Sequence, residues 1–398
     1  MLLSLEALRA KHGDSLILYY GEADAPRVIV IDGGPTGVFK DALLPRLEEL
    51  VAKIGKGEPP ARKLAIDMLM VSHIDDDHIN GVLELSKFVK EEQNNAQPFD
   101  VDTLWLNAFD DLVGNDAEEL ASGLAGAPAQ VAQVGGAAAN WKGKSQAVVA
   151  SVGQGRELRN NARGLGWTPN DKFGGFVMAP AAGGREVKFG ELTLTVICPL
   201  QPQLEALQKE WKKRLEEMKV AQTAAEVASI AGSIDSSVYN LSSIVCLAEL
   251  GGKRMLLTGD ALGANIVEGL RAADLLDDRG KIKVNVLKLP HHGSDRNTSG
   301  EFFETVRADH YVVSGDGKYH NPEPTTFDRI SKSRVDANGS PEDDFTLHLT
   351  YEDCSDGVGK ELADFFDSES AAGRTYGVEF RPKNDLGLRV DLLDALNF

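Results

Sequence analysis

The sequence predicts an α/β protein, because short apolar runs alternate with segments of helical periodicity along most of the chain. Residues 27–34 (RVIVIDGG) and 64–73 (LAIDMLMVSH) have the apolar, partly β-branched composition of buried strands. Residues 42–54 (ALLPRLEELVAKI) place leucines at helical spacing. Several strand runs end in His or Asp, which predicts reactive groups on loops at the ends of buried strands.

The other elements follow from the same patterns. Helices are predicted at 81–92, near 145–164 and, as a charged amphipathic helix, over 203–232. Further strands are predicted at 15–20, 101–107, 193–198, 242–250, 254–260, 284–292 and 309–317, with two strand pairs around 345–351 and 376–392. The Ala-, Gly- and Gln-rich stretch from about 110 to 185 is interpreted as an insertion rather than a second domain.

Composition narrows the class of protein. The net charge of −19, from 42 basic and 61 acidic residues, opposes non-specific attraction to nucleic acid and to anionic membranes. The three cysteines are widely spaced and form no CxxC motif, which predicts reduced thiols. No apolar run reaches the length of about 18 residues that a membrane span needs. We therefore expect a cytoplasmic protein with no membrane partner.

The segment 70–81 (MVSHIDDDHING) carries the strongest chemical signal. An apolar strand leads directly into His73, Asp75, Asp77 and His78. If the segment is extended, residues 73, 75 and 77 point the same way, and His78 follows at a helix start. Imidazole and carboxylate ligands together suit zinc, manganese or iron better than calcium. A polar capping turn is the alternative, but without a cation these crowded groups would repel one another.

Two later strand ends complete the candidate set. The run 254–260 ends in Asp260, for which helix capping is the plainer alternative. The run 284–292 ends in the pair His291 and His292. Each signal is weak when taken alone.

Together these segments resemble the metallo-β-lactamase superfamily. HIDDDH at 73–78 is similar to the HxHxDH signature of that superfamily, with Asp in the second ligand position. By this resemblance Asp32, which follows an early strand, does not bind a metal itself but orients a histidine that does. Asp260 is the carboxylate that bridges two metals, and either His291 or His292 closes the second metal site.

The resemblance narrows to the hydrolase domain of the ComEC/Rec2 competence proteins and their soluble relatives. HGDS (12–15), the run 239–261, LKLPHHGS (287–294) and the pattern of Ser314, His320 and Pro322 carry it, over about residues 10–335. The membrane channel of the competence proteins is absent, so DNA uptake is not implied. One departure is that the region near Cys198 and Pro199 lacks the histidine that the wider superfamily supplies to the first metal.

The resemblance implies a four-layer αβ/βα sandwich with a helical insertion and a C-terminal β extension. The expected hydrolase domain covers 1–335, with insertions at about 110–190 and 203–235. The extension covers 336–398. Two divalent ions, zinc or manganese, are implied. Because the first site is rich in oxygen ligands, manganese or a weakly held zinc is favoured there. They would share a hydroxide that attacks the substrate.

A phosphodiesterase or nuclease activity is the leading expectation, on a phosphodiester-containing small molecule or a short nucleic acid. Asp77 and Asp260 are assigned to catalysis through the metals, and His320 to a phosphate oxygen or the leaving group. Asp14 is placed near the centre with His12, and Ser294, Arg296 and Asn297 are candidate substrate contacts. Trp167 and Phe173 are possible base-stacking surfaces, with core packing as the alternative. Hydrolysis of an ester, thioester or lactam on the same metals and a non-catalytic binding module stay open as rival functions.

Overall fold

A computed structural model describes residues 1–59, 61–92, 97–108, 144–205, 207–209, 213, 240–335, 344–374 and 376–396. Most of the predicted helix at 203–232 and the first part of the predicted insertion lie outside the described residues. The described remainder of that insertion contains the helix predicted near 145–164, so that prediction is confirmed.

The first sheet contains β1 (Leu2–Leu8), β2 (Leu16–Glu22), β3 (Ala25–Ile31), β4 (Leu64–Val71), β5 (Phe99–Leu106), β6 (Thr168–Pro169) and β15 (Gly387–Asp391). Its strand order is β15-β1-β2-β3-β4-β5-β6. Pairing is antiparallel from β15 to β3 and parallel from β3 to β6. The parallel strands therefore end at one edge of the sheet, where the loops after β3 and β4 carry Asp32 and His73.

The second sheet contains β7 (Arg185–Phe189), β8 (Leu192–Cys198), β9 (Val245–Leu250), β10 (Lys253–Leu257), β11 (Ile282–Lys288), β12 (Val306–Val313), β13 (Thr346–Leu349) and β14 (Gly377–Phe380). Its order is β14-β13-β12-β11-β10-β9-β8-β7. Pairing is antiparallel from β7 to β10 and parallel from β10 to β14. The loops after β10 and β11 carry Asp260 and the histidine pair.

Helices cover the outer face of each sheet. They are α1 (Leu44–Ile54), α2 (Asp76–Glu91) and α3 (Lys144–Gly164) on the first sheet, and α4 (Gly263–Ala272), α5 (Gly300–Thr305), α6 (Pro324–Ser333) and α7 (Val358–Ala371) on the second. A third apolar cluster, which includes Leu5, Met70, Leu194 and Met255, fills the space between the two sheets. The protein is thus a four-layer α/β sandwich, and the predicted fold class is confirmed.

The C-terminal segment completes the edges of both sheets. Residues of β13 and β14 extend the second sheet beyond β12, whereas β15 pairs with β1 at the edge of the first. The sequence predicted strands here but not α7, which packs on the second sheet through Leu362. The division between 1–335 and 336–398 stays a prediction.

Two further findings concern the composition. In the described part of the chain, no helix is both long and apolar enough to cross a bilayer. All three cysteines are free, and Cys198 and Cys246 are buried. Burial raises the pKa of both thiols well above its ordinary value.

A pair of histidines lies inside the second sheet, away from the loops described below. His310 Nδ1 is 3.0 Å from His348 Nε2, and His348 is only 3% exposed. Burial, helped by the neighbouring His310, lowers the pKa of His348 to about 4 from an ordinary value of 6.5. Glu379 Oε2 lies 3.1 Å from His348 Nδ1, but its side chain is 63% exposed and solvent screens its charge.

This histidine is expected to make the fold less stable in acid. Because the unfolded chain binds the proton more tightly, stability is complete above about pH 6.5 and is lost as the pH falls through about 4. The loss from this one group is at most about 3 kcal/mol. Urea unfolding at pH 7.5, 5.5 and 4.5 should show a smaller acid loss in His348→Gln than in the unaltered chain. Equal losses in the two proteins would contradict the assignment.

Candidate metal centre

The turn after β4 and the first turn of α2 carry four candidate ligands. His73 lies just beyond β4, and α2 begins at Asp76, so Asp77 and His78 belong to its first turn. The extended segment predicted here is therefore wrong, because the helix begins before the alternation can reach Asp77. His73 Nε2 is nevertheless 3.6 Å from Asp75 Oδ2, and His78 Nε2 is 3.9 Å from Asp77 Oδ1.

Glycines fix the start of α2 against the loop after β3. Gly33 N donates to His78 O at 2.7 Å, and Gly81 N donates to Gly34 O at 3.1 Å. A Cβ atom on Gly81 would lie only 2.0 Å from Gly33 O, so a larger residue cannot fit without moving the helix. This close approach sets the position of His78.

Asp32 orients His78 from the loop after β3. Its Oδ2 is 2.9 Å from His78 Nδ1 and accepts from Ser72 Oγ at 2.7 Å, while its Oδ1 accepts from Ser72 N at 2.7 Å. With Nδ1 engaged, His78 Nε2 points to Asp260 Oδ1 at 3.3 Å. Carboxylates commonly hold metal-binding histidines in this way.

Asp260 occupies the middle of the centre. It lies on the turn after β10 and is 2% exposed. Besides His78, three imidazoles approach its Oδ2: His73 Nε2 at 3.8 Å, and the Nε2 atoms of His291 and His292 at 3.7 Å each. Ligands of one small cation are separated by distances of this order. A carboxylate in this place can contact two ions.

The two adjacent histidines after β11 have different environments. Both adopt positive φ, 49° for His291 and 56° for His292. His292 is buried, with Nε2 3.6 Å from Asp77 Oδ2 and Nδ1 3.0 Å from Ser314 O. His291 is 30% exposed, with Nδ1 2.8 Å from Asn297 Oδ1. His292 therefore joins Asp77 and His78, whereas His291 faces Asp260 from the solvent side.

The charges of the centre stabilise one another. Burial alone would raise the pKa of Asp260, but His78, His291 and His292 outweigh it and hold that pKa well below its ordinary value. Burial would lower the pKa of His78, yet the surrounding carboxylates, Asp260 first, raise it well above the ordinary value. The same balance raises the pKa of His292 to about 10. Without a cation, the raised pKa values of His78 and His292 favour protons on these two imidazoles, which offset the carboxylates.

The donor set fits divalent metal ions. Four convergent groups in the described part of the chain have ligand atoms close enough for one ion: His73, His78 and Asp260; Asp77, His78 and His292; Asp14, Asp32 and His78; and Asp14, Asp260 and His292. Within the described part of the chain, the Nε2 atoms of His73, His78 and His292 are buried and have no hydrogen-bond partner. Buried polar atoms are rarely left unpaired, so converging unpaired imidazole nitrogens indicate a cation site.

The sequence did not indicate one further member of this region. Lys288, the last residue of β11, is fully buried, and its Nζ lies 2.5 Å from Asp14 Oδ2. Asp14 Oδ1 is in turn 3.3 Å from His292 Nδ1. Burial would raise the pKa of Asp14, but Lys288 and then His292 hold it at about 2. The sequence signal is weak, because β11 (IKVNVLK) also contains Lys283 and Asn285, so one more lysine at its end does not stand out.

Comparisons with known proteins give limited sequence similarity. No protein-family model matches this chain. ComE operon protein 3 of Bacillus subtilis (strain 168) is 29% identical over 113 residues, 27% of this chain and 14% of that protein, so the match spans a small part of that relative. The crystal structure of the metallo-β-lactamase fold protein YhfI from Bacillus subtilis aligns over 98% of this chain and 99% of that chain, at 11% identity and a TM-score of 0.37.

The architecture and the position of the centre decide the fold. Two mixed sheets pack face to face between helical layers, and the His/Asp centre lies at the ends of their parallel strands. This is the four-layer α/β architecture that the metallo-β-lactamase resemblance of the sequence implied. The local similarity to ComE operon protein 3 agrees with the ComEC-like resemblance of the sequence.

The structure places no histidine at Cys198, the position where the resemblance to the metallo-β-lactamase superfamily would put a third histidine of the first metal site. The Cys198 thiol donates to Asn265 O at 3.2 Å under α4 and is buried in the cluster outside the second sheet. It therefore turns away from Asp260. His73, Asp75 and Asp260 remain as candidates for the first site, as the sequence predicted.

The predicted substrate contacts lie beside the centre but differ in access. Ser294 and Asn297 are buried. Ser294 Oγ donates to Glu323 Oε2 at 3.4 Å, whereas Asn297 Nδ2 donates to Asp260 O at 3.1 Å. Arg296 is exposed. These contacts favour a positioning role for Asn297 and leave the substrate role of all three residues a prediction.

The other predicted residues divide between the loop after β12 and the core. His320 is exposed on that loop, and His12 Nε2 lies 3.2 Å from Lys318 Nζ. Trp167 is 5% exposed within the core of the first layer, so the stacking role considered for it is wrong. Phe173 packs on Trp105 with ring centroids 5.0 Å apart, which favours core packing for it too.

Proposed function

We propose that this chain is a metal-dependent hydrolase of phosphodiesters, acting on a nucleotide or a short single strand. The observation that carries the proposal is the set of buried, unpaired imidazole nitrogens directed at Asp260. Metal binding supplies the missing partners for these atoms and explains why so many charged groups are buried together.

Two groups of residues would hold the ions. We assign His73, Asp75 and Asp260 to the first group, and Asp77, His78, His292 and Asp260 to the second, from their pairwise distances. When bound, two divalent ions lower the pKa of water and stabilise negative charge that develops on a transferring phosphoryl group. The oxygen-rich first group favours manganese or a weakly held zinc.

The chain's own contacts keep the ligands in place. Asp32 binds Nδ1 of His78 and Ser314 O lies beside Nδ1 of His292, so that both rings present Nε2 to the centre. Asn297 performs the same task for His291. Because residues that do not bind metal hold these ligands in place, the ligands need little reorganisation when the substrate binds.

The electrostatics of the chain support a small substrate. A net charge of −19 opposes non-specific binding of duplex nucleic acid over a large surface. A lysine nevertheless supplies local positive charge beside the centre, where Lys318 contacts His12 and precedes the exposed His320 by two residues. We assign His320 to a phosphate oxygen or to the leaving group, as its place on this loop allows.

The test is an activity screen on metal-loaded protein. Chelator-treated chain is reloaded with Mn²⁺, Zn²⁺ or Mg²⁺ and assayed on bis-p-nitrophenyl phosphate, a cyclic dinucleotide and a short single-stranded oligonucleotide, beside a thioester and a β-lactam. We expect diester hydrolysis, highest with Mn²⁺, and at least a roughly 100-fold loss in Asp77→Ala. Unchanged activity in Asp77→Ala would identify a contaminant.

Two other outcomes would overturn the proposal. Turnover of the thioester or lactam without diester hydrolysis would assign the same metals to carbonyl chemistry. A chain that takes up no transition metal and hydrolyses none of the substrates would be a binding module.

A further inference from the structure

Tyr319 is unusually exposed for an aromatic residue beside this centre. In the described part of the chain, Met1 and Tyr319 are the only large apolar side chains that are exposed, and Tyr319 is 69% exposed. Its loop joins β12 to α6 and includes His320. Neither the metal ligands nor the core uses this ring.

The backbone holds Tyr319 in a conformation that bulky residues rarely adopt. Tyr319 has a φ of 62° and His320 a φ of 66°, shortly after Gly317 at 90°. Such conformations persist only where the surrounding structure enforces them, and they cluster at functional sites.

The loop is fastened to the histidine pair of the metal centre. Asn321 Nδ2 donates to His291 O at 3.4 Å, and Glu323 N donates to Gly293 O at 3.3 Å. Within the loop, Gly317 N donates to Asn321 O at 3.0 Å. Tyr319 is thus carried on a braced segment that contacts the segment bearing the metal histidines.

Lys318 and His12 lie against one side of the ring. Lys318 Nζ lies 4.8 Å from the Tyr319 ring centroid and 3.2 Å from His12 Nε2. The His12 ring meets the Tyr319 ring at 5.7 Å and 86°. The rest of the aromatic surface is open to solvent, next to groups that can attract a phosphate.

From this geometry we infer that Tyr319 is a stacking platform for the base of a nucleotide substrate, with Lys318 and His12 beside its phosphate. The inference rests on the proposed function and deepens it, because it names a nucleobase as the group that the chain recognises. An exposed aromatic ring offers a flat π surface to any base, and the Lys318 ammonium beside it complements the phosphate. A single platform also suits a small nucleotide better than a long polyanion, given the acidic chain.

The test measures binding of adenosine 5′-monophosphate and ribose 5-phosphate by calorimetry to metal-loaded protein. We expect the nucleotide to bind more tightly than the sugar phosphate. Tyr319→Asn, which introduces a residue type that tolerates positive φ, should weaken nucleotide binding about tenfold or more and leave sugar phosphate binding within about twofold. Tyr319→Phe keeps the ring and should bind the nucleotide like the unaltered chain.

The outcomes separate this inference from the proposed function. If the nucleotide and the sugar phosphate bind alike, or Tyr319→Asn binds the nucleotide normally, the platform is wrong even where diesters are hydrolysed. If nucleotide binding depends on the ring but no diester is hydrolysed, the platform stands and the proposed activity fails. Equal loss in Tyr319→Phe and Tyr319→Asn would assign the effect to the hydroxyl and contradict stacking.

Discussion

Under the proposed two-metal function, replacing Asp260 by asparagine is expected to abolish binding of both ions and to lower kcat/KM for bis-p-nitrophenyl phosphate by about 10³-fold or more. The reason is its central place: Oδ1 lies near His78 and Oδ2 near His73 and His292, so one carboxylate serves both ligand groups. An amide has the same shape but lacks the charge that two cations require. Metal content per chain after desalting, measured by mass spectrometry, and initial rates check the prediction.

The comparison with Asp77→Ala makes this prediction specific to a bridging role. Asp77 approaches His78 and His292, which belong to the second proposed ligand group, so its loss should remove one ion and leave the other. Asp353→Asn is a matched control, since Asp353 is an exposed carboxylate that pairs with Lys383 on the surface. An Asp260→Asn variant that still holds two ions would show that Asp260 does not bridge.

The parts of the fold that were predictable are those set by local pattern. β3 and β4 are apolar runs whose strand character could be predicted from the local sequence alone. β1 was missed because Leu, Glu and Ala in LLSLEAL favour helices, yet the segment is buried between β2 and β15. Here tertiary burial overrides helix propensity, and only the partner strands reveal it.

In the candidate site, too, some features could be predicted from local sequence and others depend on long-range contacts. The gathering of His73, His78 and Asp260 was predicted from strand ends and from resemblance, and the structure brings them together. The geometry of Asp77 was predicted wrongly, because the alternation of an extended segment was applied to the first turn of a helix. Lys288 was not identified at all, since its burial depends on Asp14 in a distant part of the sequence.

The pair formed by Lys288 and Asp14 leads to the largest expected effect on stability. Both side chains are buried, at 0% and 1% exposure. Lys288→Met keeps the length of the side chain but leaves the Asp14 carboxylate without its main counter-charge. Breaking a buried pair by removing one partner costs about 3–5 kcal/mol. We expect a loss of this size in the free energy of unfolding, measured in urea with chelator present so that metal binding does not contribute.

Two further variants show whether the unpaired charge causes the loss. Adding Asp14→Asn to Lys288→Met removes that charge and should restore a large part of the stability, because the remaining polar group is neutral. Lys283→Met is the matched control on the same strand: Lys283 is 56% exposed and pairs with Asp309, so its loss should cost no more than about 1 kcal/mol. If the double variant is as unstable as Lys288→Met alone, the lysine stabilises the fold through packing of its stem, and Asp14 must be held near His292 by other contacts.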